Sequence, residues 1–239
     1  WNAFVISAYV LASCFTYGYV FTLTQSRLAA LASGIIYGMC GFMMAHLGHT
    51  SMIHAAAWMP LLIWALEKLR NKFSFQWFAV ACVSVACSAL AGHLQVFVYS
   101  LGFSLAYALI LGWSLELRRW KYYLIYLATI VVGLTLSTIQ FLPTIELGNL
   151  GMRVQMSFAG FNECSMHPYQ TIALLFPYLF GGTAGSIYGP YFGPCNVHEL
   201  SGYFGLLPLM LAGVGFLACV KRSMVWFWSG AGLIAFLLT

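Results

Sequence analysis

Long apolar runs dominate the chain, and they break only at short polar or charged punctuation. The runs predict helices at about 2–24, 28–45, 52–67, 74–91, 94–113, 120–142, 202–220 and 224–239. A porin-like barrel would alternate apolar and polar residues, and these runs do not. Residues 143–201 differ. They hold Pro143, Pro168, Pro177, Pro190 and Pro194, with glycines clustered from Gly181 to Gly193. The expected fold is therefore all-α, a polytopic transmembrane helical bundle of about eight spans. Its parts are a six-span region at 1–142, a long extracytoplasmic loop at 143–201 and a two-span region at 202–239. Within the loop, Pro168 suits the start of a short interfacial or re-entrant helix.

Composition narrows the class. Of 239 residues, 62% are hydrophobic and 6% charged, and the mean hydropathy is +0.87. A soluble domain must cover itself with polar side chains and carries about 25% charge. The abundance of Phe, Tyr, Trp and Leu excludes disorder. Trp1 lies inside an apolar run with no basic segment ahead of it, and the last run stops short of a full span. The chain reads as an internal piece of a larger membrane protein.

Charge sets orientation. When the sides alternate through these helices, nine of the ten Lys/Arg fall on one side: Arg27, Lys68, Arg70, Lys72, Arg118, Arg119, Lys121, Lys221 and Arg222. The positive-inside rule makes that side cytoplasmic. The net charge of +5 thus reports topology, and no nucleic-acid module is visible. Glu67 and Glu116, among these basic residues, read as ordinary interfacial charge partners. All six histidines fall at the other end, with Glu146, Glu163 and Glu199. A functional site is expected on that extracytoplasmic face.

Four segments there carry candidate chemistry. The first joins Ala45–Ser51 and His54 to a second Gly-His at Gly92-His93, each expected at a tight outer hairpin. Two readings stand: His49, His54 and His93 line a polar cavity, or they are interfacial turn residues. The spacing of His46, His49 and His54 does not place all three on one helix face, so no metal site is supported. The second is Gln140-Phe-Leu-Pro143-Thr-Ile-Glu146 followed by Arg153, the only Lys/Arg on the outer side. Pro143 is expected to break the helix. Arg153 either binds a phosphate through its guanidinium fork or reaches lipid phosphate with Glu146 as partner. The third is Asn196–Tyr203, where His198 and Glu199 either do acid/base work or solvate a helix entry. The fourth is the short run from His167 and Pro168 to Phe180. Cys164 and Cys195 share the outer loop, where a disulfide is one option. No cofactor is evident, and a divalent metal has no support.

Several of these segments resemble bacterial YfhO-type membrane proteins. They are Leu47–Leu62, Ala91–Gln95, Ile139–Leu147 with Arg153, Leu174–Gly181 and Glu199–Leu209, in that order. That family is similar to the GT-C integral membrane glycosyltransferases. The resemblance implies transfer of a sugar from a polyprenyl-phosphate donor to an envelope glycopolymer or glycolipid on the outer face. It also implies a catalytic Asp or Glu in a first outer loop. This chain has no Asp, and that loop is expected upstream of Trp1, leaving the catalytic residue unassigned here. Arg153, Glu146, Gln140, His49, His54, His93 and Glu199 are then expected to bind substrate. A transporter or flippase for a lipid-linked or polar solute, and a non-catalytic assembly subunit, are the competing functions.

Overall fold

The computed structural model describes residues 1–115, 119–150, 166–182, 187–193, 198 and 202–237. The described residues are helical and irregular, with no strand. Among them, Asn2–Thr24, Arg27–Ala45 (helical apart from Met39 and Cys40) and Leu94–Trp113 are long and apolar enough to cross a membrane. A bent pair, Arg119–Leu136 and Thr138–Gly148, makes a fourth if counted as one. The chain divides into two compact units.

The first unit comprises Trp1–Gly38 and His46–Gly151. Its helices are α1 (Asn2–Thr24) and α2 (Arg27–Gly38), then α4 (Thr50–Ala57), α5 (Met59–Asn71), α6 (Phe75–Leu90), α7 (Leu94–Trp113), α8 (Arg119–Leu136) and α9 (Thr138–Leu150). The second unit contains α3 (Gly41–Ala45), α10 (Leu206–Cys219) and α11 (Ser223–Leu237).

α1 and α2 form an antiparallel hairpin closed by Gln25. Its backbone is left-handed, with φ at 55°, and its side chain donates to the carbonyls of Phe21 and Thr22 at 3.1 and 3.2 Å. Carbonyls orphaned at the helix end are thereby satisfied. The hairpin closes tightly because α2 presents Gly34 and Gly38, one turn apart. A Cβ on Gly34 would lie 2.7 Å from the Ser13 carbonyl oxygen, and one on Gly38 would collide with the Ser13 hydroxyl. Small residues at this spacing let helix backbones approach where lipid gives apolar side chains no drive to associate.

The expected span at 52–67 is two helices, divided at Trp58. Pro60, in the first turn of α5, has no N–H to donate, and its ring would crowd the carbonyl four residues back. Gly133 of α8 sits against Val85, where a Cβ would come within 2.5 Å of the valine Cβ. The helices alternate in direction. Ser88 donates to the Ala55 carbonyl near one end, at 2.9 Å, and Tyr122 donates to the Leu66 carbonyl near the other, at 3.3 Å.

The expected break at Pro143 falls instead at Ser137. α8 and α9 meet there at 71°, and Pro143 lies inside α9. Hydroxyls around the elbow compete for helical carbonyls. Ser137 Oγ donates to Gly133 and Leu134, both at 3.0 Å, while Thr138 Oγ1 donates to Leu134 and Thr135. Such back-bonding bends helices. Residues 143–150, expected as loop, are therefore helical.

In the second unit, Pro168–Leu174 form a 3-10 helix opened by a reciprocal cap between His167 and Gln170. A turn beyond it closes through Gly182 N–H to Gly189 O at 3.0 Å and Tyr191 N–H to Gly182 O at 3.1 Å. Gly181 and Gly189 take φ of 89° and 74° there, which side chains disfavour. Burial pushes the Tyr191 phenol up, partly offset by its hydrogen bond with Gln170. The expected span at 202–220 begins only at Leu206, because Gly205 holds φ at 101°.

Gly38→Leu is expected to force α1 and α2 apart and destabilise the chain by about 1–3 kcal/mol, the usual cost of overpacking. Gly102→Leu, where a Cβ meets open space, is expected to leave stability unchanged. Thermal unfolding of both variants in detergent checks this.

Candidate functional site

Polar groups collect at the two ends of the first unit. The histidine end is built by the start of α1, by α4, by the turn between α6 and α7, and by the elbow between α8 and α9. Gly92 turns the chain with φ at 83°, and a Cβ there would lie 3.9 Å from the Gln140 side-chain nitrogen. Phe97 and Phe141 pack beside this contact with ring centres 5.8 Å apart. The structure thus brings Gly92-His93 and Gln140 together, which sequence spacing alone could not do.

His93 caps α7, its Nδ1 accepting from the Val96 N–H at 3.3 Å. The neutral ring then carries its proton on Nε2. Gln140 is exposed and reaches the Thr144 hydroxyl at 3.5 Å. Glu146 is exposed farther along α9. Beneath this rim, Trp58, Met59, Leu62, Ser84, Phe97 and Ser100 line a cavity of about 10 Å³. That is room for one water.

His54 is packed against α1. It is 7% exposed, its ring stacks on Phe4 at 4.0 Å, and its Nε2 lies 3.0 Å from the Phe4 carbonyl. A carbonyl only accepts, so Nε2 carries the proton. This ring joins two helices. His49 precedes α4 and is exposed, with its ring 5.8 Å from that of buried His46. The two Gly-His pairs differ, because Gly48 has open space around it and no positive φ. Among the described residues no group of three His, Cys, Asp or Glu could hold a metal ion. Arg153, Glu163, Glu199, Asn196 and the Cys164/Cys195 pair lie outside the described residues.

The opposite end holds a constellation that sequence reasoning missed. Glu67 pairs with basic Arg70, as its neighbours suggested, but it is buried at 4% exposure. One oxygen takes Arg70 at 3.2 Å, and the other accepts from Tyr107 OH at 3.0 Å. Tyr107 has only one hydroxyl proton, so Tyr19, at 2.7 Å, donates to it. The chain Tyr19–Tyr107–Glu67–Arg70 ties α1, α5 and α7 together. The available signal was two phenols inside apolar runs, since buried tyrosine hydroxyls need partners.

No family model, curated protein or solved structure matches the chain.

Tyr107→Phe removes the central link and leaves Glu67 short of a donor. The expected cost is about 1 kcal/mol. Tyr19→Phe leaves the Tyr107–Glu67 bond standing and is expected to cost less. A melting-temperature comparison of the two variants in one detergent ranks them.

Proposed function

We propose that the chain is part of an integral membrane glycosyltransferase of the GT-C type, acting at the extracytoplasmic face. Its donor is a polyprenyl-phosphate sugar and its acceptor an envelope glycopolymer or glycolipid. The observation that carries this reading is the rim where the α8–α9 elbow sets Gln140 beside Gly92-His93. The same stretch of sequence runs on through Glu146 to Arg153 and bears the resemblance to YfhO-type proteins.

On this reading Arg153 holds the donor phosphate with its planar fork. Gln140 accepts from and donates to sugar hydroxyls and Glu146 accepts from them, His93 and His49 border the acceptor side, and His54 holds α4 on α1 behind them. Glu199 belongs to the same outer face by sequence. An acceptor hydroxyl attacks the anomeric carbon, the bond to the donor phosphate breaks, and a carboxylate outside this stretch takes the hydroxyl proton. The catalytic carboxylate is not assigned to any residue here.

The bent α8–α9 pair also favours a second reading, a transporter or flippase for a lipid-linked or polar solute. Interrupted helices in transporters carry substrate sites.

Deleting the gene and measuring polyprenyl-phosphate sugars by mass spectrometry, beside envelope sugar analysis, separates the two. Transfer predicts donor accumulation with a lost envelope sugar. Wild type is expected to restore the sugar, and Arg153→Ala to lower transfer about a hundredfold, as loss of one donor to a charged oxygen does. Unchanged donor and envelope sugars would overturn the transferase reading, and a solute-uptake defect in their place would favour transport.

A further inference from the structure

The turn between α5 and α6 forms an open pocket of about 460 Å³ at the Lys/Arg end, lined by Lys68, Asn71, Lys72, Phe73, Ser74 and Trp77. We propose that this pocket binds the phosphate of an anionic membrane lipid headgroup. The lining contains two cations and no acid. Among the described residues the ion pair at this end is Arg70 with Glu67. The neighbouring carboxylate is therefore spent on Arg70, and among the described residues neither Lys68 nor Lys72 has a carboxylate partner. Lys68 lies in the last turn of α5 and Lys72 just beyond it in extended backbone, and both line the pocket. Lys68 is half-buried, and its ammonium sits 5.8 Å over the Trp77 ring.

Trp77 in turn packs on Trp64 at 5.1 Å, and Trp64 donates to Thr22 at 2.8 Å. The lysine thus rests against an aromatic wall tied to α1 through Thr22. Asn71 is exposed, and Ser74, the residue ahead of α6, makes no side-chain capping bond. Both can donate to oxyanion oxygens. Phe73 and Phe75 are 54% and 74% exposed on the same turn. Aromatic rings of this kind settle at headgroup depth, which puts the pocket where lipid phosphates are. Each lysine near a lipid surface is worth about a fivefold gain in binding to anionic headgroups.

Native mass spectrometry of the full chain in detergent, titrated with phosphatidylglycerol, tests the site. Diacylglycerol, which lacks phosphate, is the control lipid. The double variant Lys68→Gln/Lys72→Gln is expected to weaken phosphatidylglycerol binding about tenfold or more. Lys68→Arg/Lys72→Arg should retain it, and Arg119→Gln/Lys121→Gln should leave it unchanged. Inorganic phosphate should not displace the lipid. If inorganic phosphate alone binds and displaces it, the pocket takes soluble phosphate and the lipid assignment falls. Equal weakening by both Gln pairs, or none by Lys68→Gln/Lys72→Gln, overturns the site.

Discussion

A hydrocarbon layer offers no hydrogen-bond partner, so every polar group within it must be satisfied by the protein itself. The hydroxyls of the first unit follow that constraint. Thr16, Thr22, Ser84, Ser100, Thr129 and Thr135 each return a bond to the carbonyl four residues earlier. Among the described residues no buried side-chain nitrogen or oxygen lacks a partner. Where local carbonyls do not suffice, hydroxyls bridge helices, as Tyr126 does with Ser104 and Tyr19 with Tyr107. The same constraint draws charges to the ends of the helices. Glu67 is the buried exception, and it is accommodated only because an arginine and a phenol occupy its two oxygens.

Much of the helical plan was legible in the sequence. The apolar runs at 2–24 and 94–113 match α1 and α7 closely, because nothing inside them competes with helix formation. Pro168 does open a short helix. Breaks within helices were harder to read. Pro143 is the obvious breaker, yet the elbow forms at Ser137, where several hydroxyls bond back onto one turn. The division at Trp58 followed from Pro60, whose missing donor matters only once the residues ahead of it are also helical. The count of eight spans is not established, since among the described residues three helices, or four with the bent pair, meet the length a membrane requires.

The candidate site was legible as an inventory and not as an arrangement. Gln140 and His93 were singled out separately, and only the packing of α7 against α9 makes them neighbours. His54 looked like cavity lining and proves to be held by Phe4, a contact between residues fifty positions apart. Glu67 pairs with Arg70 as expected, but its burial against Tyr107 was not legible for the same reason. Its neighbours in sequence are basic, whereas its neighbours in space include phenols from other helices.

The central proposal is that the two polar ends of the first unit face opposite sides of the membrane, with the histidine end outward. Single cysteines at Gly48 and Asn71, in a chain whose natural cysteines are replaced, test it directly. Both positions are exposed. A membrane-impermeant maleimide added to intact cells should label Gly48→Cys and reach Asn71→Cys only after permeabilisation. Labelling of both without permeabilisation, or of Asn71→Cys alone, would contradict the account.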